Sequence, residues 1–464
     1  MTRRSIVFGA GVSGCAAARL LSRVGESVRL VSDVETDETA ALRAAGVDVV
    51  LGDPVAAARA FAAEAGGEGR AVLSPGIPPT APEVVACREA GLPVVGELEI
   101  GAEHLRSRIV AVTGSKGKSS LVKLLADVLN ASGISAVPCG NYGTALADVA
   151  ARDEQPAVAV VECSSFQLET IGERFRPASA AVLNLSADHL DRHGTMARYC
   201  ETKLEIFRNL APGGLALLPA PSEDPHGLNA AFRARHGVEA TRVGRGEDAH
   251  WRHGDGFVAC VETGAVFDIR GSYFDNDVLG PAAAAACALL VAEGVSPEAI
   301  AAGLRAFEPL PHRMQLVGEV GGVRFVDDSK ATSIAALLAG VRMAKPPVHL
   351  VAGGRLKEKI SVDGKEVVTF GVKKAYLIGE CMEDMASAWA PDLDIEKCGT
   401  LDVAVKTAFK EARPGGTVLL SPGTASFDQF KDYVQRGKAF ADIVLKLKEH
   451  QAAATANPTT LTER

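Results

Sequence analysis

The chain has 464 residues, 47% hydrophobic and 23% charged, with a formal net charge of −8 and nine cysteines. That length exceeds one ordinary core and implies roughly three domains of ~150 residues. The acidic balance excludes nucleic acid as the main partner, because duplex binding needs a concentrated basic surface; the cysteines form no C-x-x-C pair, which suits reduced cytoplasmic thiols better than disulfides or a zinc site.

Residues 4–8 read as a short strand, and Gly9-Ala10-Gly11-Val12-Ser13-Gly14 follows directly. A helix over 16–24 and a strand over 27–31, ending at Asp33, complete a βαβ unit. A G-x-G-x-x-G turn in that setting, with an acid about twenty residues on, points to a nucleotide, most often a dinucleotide. A tight βα turn without a ligand gives the same pattern. Arg3-Arg4, an apolar stretch and Cys15 mimic an export signal, but glycines interrupt the stretch and helical periodicity runs through Cys15, so export is rejected. The longest apolar run, 282–292, is too short to span a bilayer, so no membrane partner is expected. Strands at 47–51 and 71–73 alternate with helices at 56–65 and 82–90. The stiff loop from Ser74 through Pro75 and Gly76 leaves a strand end, where open α/β sheets bind ligands. A strand at 93–95 closes this unit near residue 97, and 96–99 leads out of it.

The second unit opens on an apolar β-branched strand at 109–112. It breaks into Thr113-Gly114-Ser115-Lys116-Gly117-Lys118-Ser119-Ser120 and resumes at helical spacing over 121–129. Strand, glycine loop with Lys-Ser, then helix is a phosphate cradle: backbone N–H groups turn inward, the helix N-terminus adds partial positive charge and Lys118 a full one. Ser119 is placed to hold magnesium through its hydroxyl. The two glycines are closer together than in the standard loop. Asn141 stands at a turn tip, and a strand at 157–161 delivers Glu162 beside the loop, where a carboxylate could share that magnesium. The strand at 178–183 ends in Asn184-Leu185-Ser186-Ala187-Asp188-His189-Leu190-Asp191-Arg192-His193, a polar cluster that favours chemistry over a structural histidine. Lys203, on an amphipathic helix over 199–207, reads locally as a solvated lysine. Residues 219–276 read as short strands and loops without chemistry, and helices follow at 281–292 and 297–307.

Glu308-Pro309-Leu310-Pro311 makes a natural hinge, followed by His312-Arg313. The third unit alternates again: strands at 323–326, 348–352, 375–378 and 418–420 end in polar loops, the first carrying Asp328-Ser329-Lys330-Ala331-Thr332. The small, polar residues 451–464 are expected to be a disordered tail.

Several motifs, in order, carry a resemblance. The phosphate loop, Glu162-Cys163-Ser164-Ser165-Phe166-Gln167-Leu168, the N-x-x-x-D-H-x-D-R run from Asn184, Leu310-Pro311-His312-Arg313, the Asp328 motif and 421–430 together resemble the Mur ligases. The resemblance implies an α/β chain of three domains: a Rossmann-like UDP-substrate domain (1–97), a central P-loop ATPase-like parallel sheet (98–310) and a C-terminal Rossmann-like amino-acid domain (311–450). It also implies the reaction. ATP phosphorylates the alanine carboxylate of UDP-N-acetylmuramoyl-L-alanine, and the amine of an incoming amino acid attacks the acyl phosphate. The opening glycine turn, Ser-Ser-Phe-Gln-Leu and Ala425-Ser426-Phe427-Asp428-Gln429-Phe430 point to D-glutamate as that amino acid; another amino acid remains the nearest rival.

By the same resemblance, Gly114, Ser115, Lys116, Gly117, Lys118, Ser119 and Ser120 cradle the phosphates, and Arg313 and Asp328 reach ATP. Lys118, Glu162, His189 and Lys203 are the catalytic set. Ser119 and Glu162 hold one Mg2+; His189 and a carbamylated Lys203 hold the other. Gly11, Ser13, Gly14, Asp33, Ser74 and Gly76 take the UDP portion, which displaces the dinucleotide. Asn141 contacts substrate near the transferred phosphate. Thr332, Lys357, Ser426 and Phe427 form the D-glutamate pocket, with Tyr433 beside them. A cytoplasmic monomer, closing about the proline hinge, is the implied state.

Three departures stand out. Ala282 to Ala286 occupy the stretch where the family carries His-Asn and a second Asn near the adenine, which leaves the base held differently or more weakly and keeps a non-catalytic nucleotide-binding relative open. Lys116 replaces an asparagine, and Arg355-Leu356-Lys357-Glu358-Lys359 lacks an aspartate.

Overall fold

The computed structural model describes residues 3–357 and 359–456. It is an α/β protein built on three sheets. The first sheet orders its strands Asp48–Leu51, Ser27–Ser32, Arg4–Phe8, Gly69–Leu73, Val94–Gly96, all parallel. The second has nine strands with Arg108–Thr113 between Ser179–Val182 and Val158–Glu162, parallel except for its last two pairings at the Val266–Asp268 edge. The third is parallel apart from its antiparallel edge strand Gln315–Val320. Crossover helices cover both faces of a parallel sheet, so its inner strands are apolar throughout. Arg108–Thr113, buried at every residue after the first, shows this.

The chain divides into two compact units, residues 1–275 with 279–307, and residues 276–278 with 308–464. The first two sheets therefore share one unit, for a reason visible in the packing. Ala145, Ala147 and Ala150 of the second sheet's layer lie in one core cluster with Val7, Cys15, Ala16 and Leu30 of the first. Arg19, on the helix Val12–Arg23, pairs with Asp148.

The stretch read as a lead-out at 96–99 is a buried anchor. Gly96 N–H donates to Thr170 O at 2.8 Å, and the helix Glu97–His104 starts there. Glu97, 2% exposed, accepts from the Ala147 N–H at 2.7 Å, while its Oε2 is buried with no hydrogen-bond partner among the described residues. Burial pushes this carboxyl up to about 7. Glu99 accepts the N–H groups of Gly172, Arg174 and Phe175 at 2.7–3.0 Å.

Two other readings change. The helix Leu228–His236, inside the stretch read as strands and loops, is bounded at both ends by glycines in the left-handed region, Gly227 and Gly237. At the C-terminus the helix Tyr433–Ala456 runs through residues expected to be disordered, because Ala452 and Ala453 continue a helix at little cost; 457–464 lie outside the described residues.

Candidate active site

The strand Arg108–Thr113 ends at Gly114, whose φ of 145° only glycine adopts readily, and Gly117 (φ 83°) turns the chain into the helix Lys118–Ala131. Asn184 clasps this loop: its Oδ1 accepts the Lys116 N–H at 2.9 Å and its Nδ2 donates to Lys116 O at 3.1 Å. Ser115 Oγ donates to Ser186 O at 3.1 Å and lies 3.2 Å from the Tyr199 hydroxyl. Lys118 Nζ curls into its own loop, donating to Gly114 O at 2.7 Å and Ser115 O at 3.1 Å. The loop is thus held rigidly from outside, with its charged group at the mouth. That is the preorganisation phosphate binding requires.

Lys203 is 2% exposed. Its Nζ donates to Thr113 Oγ1 at 2.9 Å and Gly114 O at 3.2 Å, and it stands 5.3 Å from the Tyr199 ring centroid. Burial, with the positive charge of Lys118 adding, pulls its ammonium down to about 7. The local reading of a solvated lysine is therefore overturned.

Glu162, also 2% exposed, accepts from Asn141 Nδ2 at 2.7 Å through Oε1; its Oε2 is buried with no hydrogen-bond partner among the described residues. An oriented carboxylate with one vacant oxygen suits a hard cation. Ser119 is buried at the start of the adjacent helix. His189 is half exposed, in the left-handed region at φ 53°, with its Nε2 3.8 Å from Asp188 Oδ1. Among the described residues no three His, Cys, Asp or Glu side chains gather as a ready-made metal cluster. An ion here would need hydroxyl, phosphate or modified-lysine oxygens as well.

On the first sheet, Gly9, Gly14 and Ser74 interlock. A Cβ on Gly14 would sit 1.8 Å from Gly9 O, and Ser74 Oγ donates to that same oxygen at 2.9 Å. A Cβ on Gly11 would meet nothing, so this glycine leaves space beside the turn. Ser13 and Gly14 belong to the helix itself, which starts at Val12. Gly11 and Asp33 line a cavity of about 380 Å³ with Phe8, Val31, Thr36 and Ile77.

The second unit carries the remaining candidates on loops at strand ends. Gly423 N–H donates to Ala331 O at 2.9 Å, and Arg355 and Ala425 exchange backbone hydrogen bonds of 2.9 and 3.0 Å, so the loops bearing Thr332, Lys357 and Ser426 lie side by side. Ser426 is buried; Phe427 is 61% exposed. Asp328 faces inward, accepting from Ser421 Oγ at 2.8 Å and from the Met314 N–H at 3.3 Å, and burial pushes its carboxyl up to about 7. Arg313 sits between His312 and Met314, both at positive φ. Such strain in bulky residues is concentrated at functional segments. His312 Nδ1 is 2.6 Å from Asp327 Oδ2. The alanines 282–286 are all buried in the helix Gly280–Ala292, with Ala282 3.9 Å from where a Gly117 Cβ would be.

Thr113, the first residue of the phosphate loop, and Tyr199, at the start of the Lys203 helix, make contacts to Lys203 and Ser115 that the sequence did not signal. A hydroxyl ending a strand and an aromatic on a helix carry no local signal of such contacts.

A clasped glycine loop on a parallel strand, flanked by a half-satisfied carboxylate and a buried lysine, defines an α/β enzyme that handles nucleotide phosphates. The Mur ligase middle domain matches residues 112–277, and the Mur ligase glutamate ligase domain matches 312–424. The UDP-N-acetylmuramoylalanine--D-glutamate ligase of Acidobacterium capsulatum is 35% identical over 97% of both chains. That of Frankia casuarinae is 38% identical over 95% of this chain and 93% of its own. Among solved structures, the MurF ligase from Thermotoga maritima in complex with ADP shares the fold, with a TM-score of 0.57 at 16% identity, covering 98% of this chain and 96% of that one. The chain belongs to the Mur ligase family. It is an ATP-dependent amide ligase of peptidoglycan-precursor synthesis.

Proposed function

We propose that this ligase joins D-glutamate to UDP-N-acetylmuramoyl-L-alanine through an acyl phosphate, as a cytoplasmic monomer. No described helix is long and apolar enough to cross a membrane. In this reading residues 1–97 are a Rossmann-like domain taking UDP at Gly11, Ser13, Gly14, Asp33, Ser74 and Gly76. Residues 98–310 are a P-loop ATPase-like domain, and 311–450 a second Rossmann-like domain for the amino acid. The similarity along 97% of both chains to a relative of that name supports the substrate assignment.

The observation that carries the mechanism is the convergence of Lys118 and Lys203 on Gly114 O beside Glu162. Two anions, the γ-phosphate and the alanine carboxylate, must meet; Lys118 and bound magnesium would supply the cations that oppose their repulsion, and Lys203, once carbamylated, would serve as an anionic metal ligand. Lys118 would leave its loop carbonyls for the phosphate oxygens. Ser119 and Glu162 would hold one magnesium ion, with Asn141 orienting the carboxylate and lying near the transferred phosphate. His189 and a carbamylated Lys203 would hold the second. Bound there, the ions would neutralise the phosphate charge.

The depressed pKa of Lys203 supports carbamylation: at neutral pH much of the amine is free, its lone pair forms a C–N bond with carbon dioxide, and one proton leaves to solvent. Arg313 and Asp328 would serve the nucleotide, and Thr332, Lys357, Ser426 and Phe427 the D-glutamate. The test is phosphate release from ATP and magnesium. Release that requires both UDP-N-acetylmuramoyl-L-alanine and D-glutamate supports the reading; turnover with another amino acid but not D-glutamate overturns it.

A further inference from the structure

One side chain beside the site has no part in the chemistry above, yet it spans the two sheets of its unit. Arg192, on the short helix Leu190–His193, is 12% exposed. Its Nη1 donates to Pro75 O at 2.9 Å and its Nη2 to Ile77 O at 3.3 Å, so the fork brackets Gly76 on the first sheet's loop. Its Nε donates to Glu169 Oε2 at 3.1 Å, and Nη2 reaches the same oxygen at 2.5 Å. The guanidinium lies 4.1 Å from the Phe166 ring centroid, and that ring is 4.8 Å from the ring of His189. Glu169 is itself held: His193 Nδ1 is 3.4 Å from its Oε1, and His193 Nε2 is 3.0 Å from Ser165 Oγ. Gly76, Phe166, Glu169 and Arg192 together wall a cleft of about 870 Å³.

A chain of contacts thus runs from Gly76 through Arg192 and Phe166 to His189. A planar guanidinium satisfies two carbonyls, a carboxylate and an aromatic face at once; an ammonium, being a point charge, does not. We infer that Arg192 is a positioning residue that sets the loop 74–76, and with it the UDP-sugar, at a fixed distance from His189 and the phosphate loop. This rests on the substrate assignment proposed above.

Steady-state kinetics with UDP-N-acetylmuramoyl-L-alanine, D-glutamate, ATP and magnesium test it. In Arg192→Lys the KM for the UDP-sugar rises about tenfold or more, while the KM for ATP stays within about twofold. In Arg192→Ala, free guanidinium ion at roughly tens of millimolar restores part of kcat/KM for the UDP-sugar and urea does not, since only the ion supplies the fork. Should either variant fail to fold, Glu169→Gln leaves the carbonyl contacts and still raises the UDP-sugar KM selectively. Equal rises in both KM values, wild-type constants in Arg192→Lys, or no guanidinium rescue in folded protein would overturn the assignment. A wild-type enzyme inactive on these substrates overturns the functional reading, and this inference with it.

Discussion

Glu97→Gln isolates the energetic cost of the buried anchor between the first two sheets. The wild-type carboxyl is 2% exposed, accepts one backbone N–H through Oε1 and is pushed up to about 7 by burial, with Asp148 adding repulsion. In the unfolded chain it titrates near ~4.3. The folded state therefore binds this proton more tightly than the unfolded state. The stability it contributes is fully present below about 4.3 and is lost as pH rises through about 7. At ~1.36 kcal/mol per pH unit, the full interval is worth about 4 kcal/mol, of which about 3 kcal/mol falls between about pH 4.5 and 8. Glutamine keeps the Oε1 acceptor and has no charge to bury, so its stability lacks this slope. The stability difference between the two proteins should shift by about 3 kcal/mol in favour of glutamine between pH 4.5 and 8.

The two tryptophans make the measurement local. Trp251 lies in the unit that contains Glu97, and Trp389 lies in the other. Urea unfolding in a Trp389→Phe background, followed by Trp251 fluorescence, reports the relevant unit alone. Other titrating groups are common to both proteins and cancel. A difference that stays constant across this pH range would refute the reasoning.

Three further outcomes are expected. Lys118→Ala abolishes phosphate release, whereas Lys203→Ala loses activity that short carboxylates restore; full activity of Lys203→Ala without them contradicts the carbamate role. Glu99→Ala strands three backbone N–H groups. It should lower the stability reported by Trp251 by about 3 kcal/mol or more, at ~1–3 kcal/mol for each unmet donor; a change within error by urea unfolding would count against it. Gly14→Ala forces a Cβ to 1.8 Å from Gly9 O and should cost about 3 kcal/mol or more. Gly11→Ala should leave the melting temperature alone and weaken UDP-sugar binding by calorimetry. Equal melting temperatures in the two variants would refute the distinction.

The phosphate loop was legible because its signal is local: glycines where φ must be positive, Lys-Ser at a helix start, and an apolar strand before them. Glu162 and Asp188-His189 could be read for the same reason, each standing at the end of an apolar strand. The helix Leu228–His236 was hidden because its arginines and alanines give no clean apolar face, and only its bounding glycines mark it.

The sequence by itself determined the α/β alternation, the phosphate loop and the order of the family motifs, since strand period, glycine geometry and helix starts depend on neighbours along the chain. Only the tertiary structure decided which charges are buried. Lys203 looks solvated on its own helix and is enclosed because Thr113 and Gly114, about ninety residues earlier, close over it. Glu97 and Glu99, in sequence only part of the lead-out 96–99, and Arg192, in sequence only part of a polar run, gain their roles from partners 50 to 117 residues away. Burial and hydrogen-bond satisfaction are set by such distant partners, and these set the pKa of Lys203 and the span of Arg192.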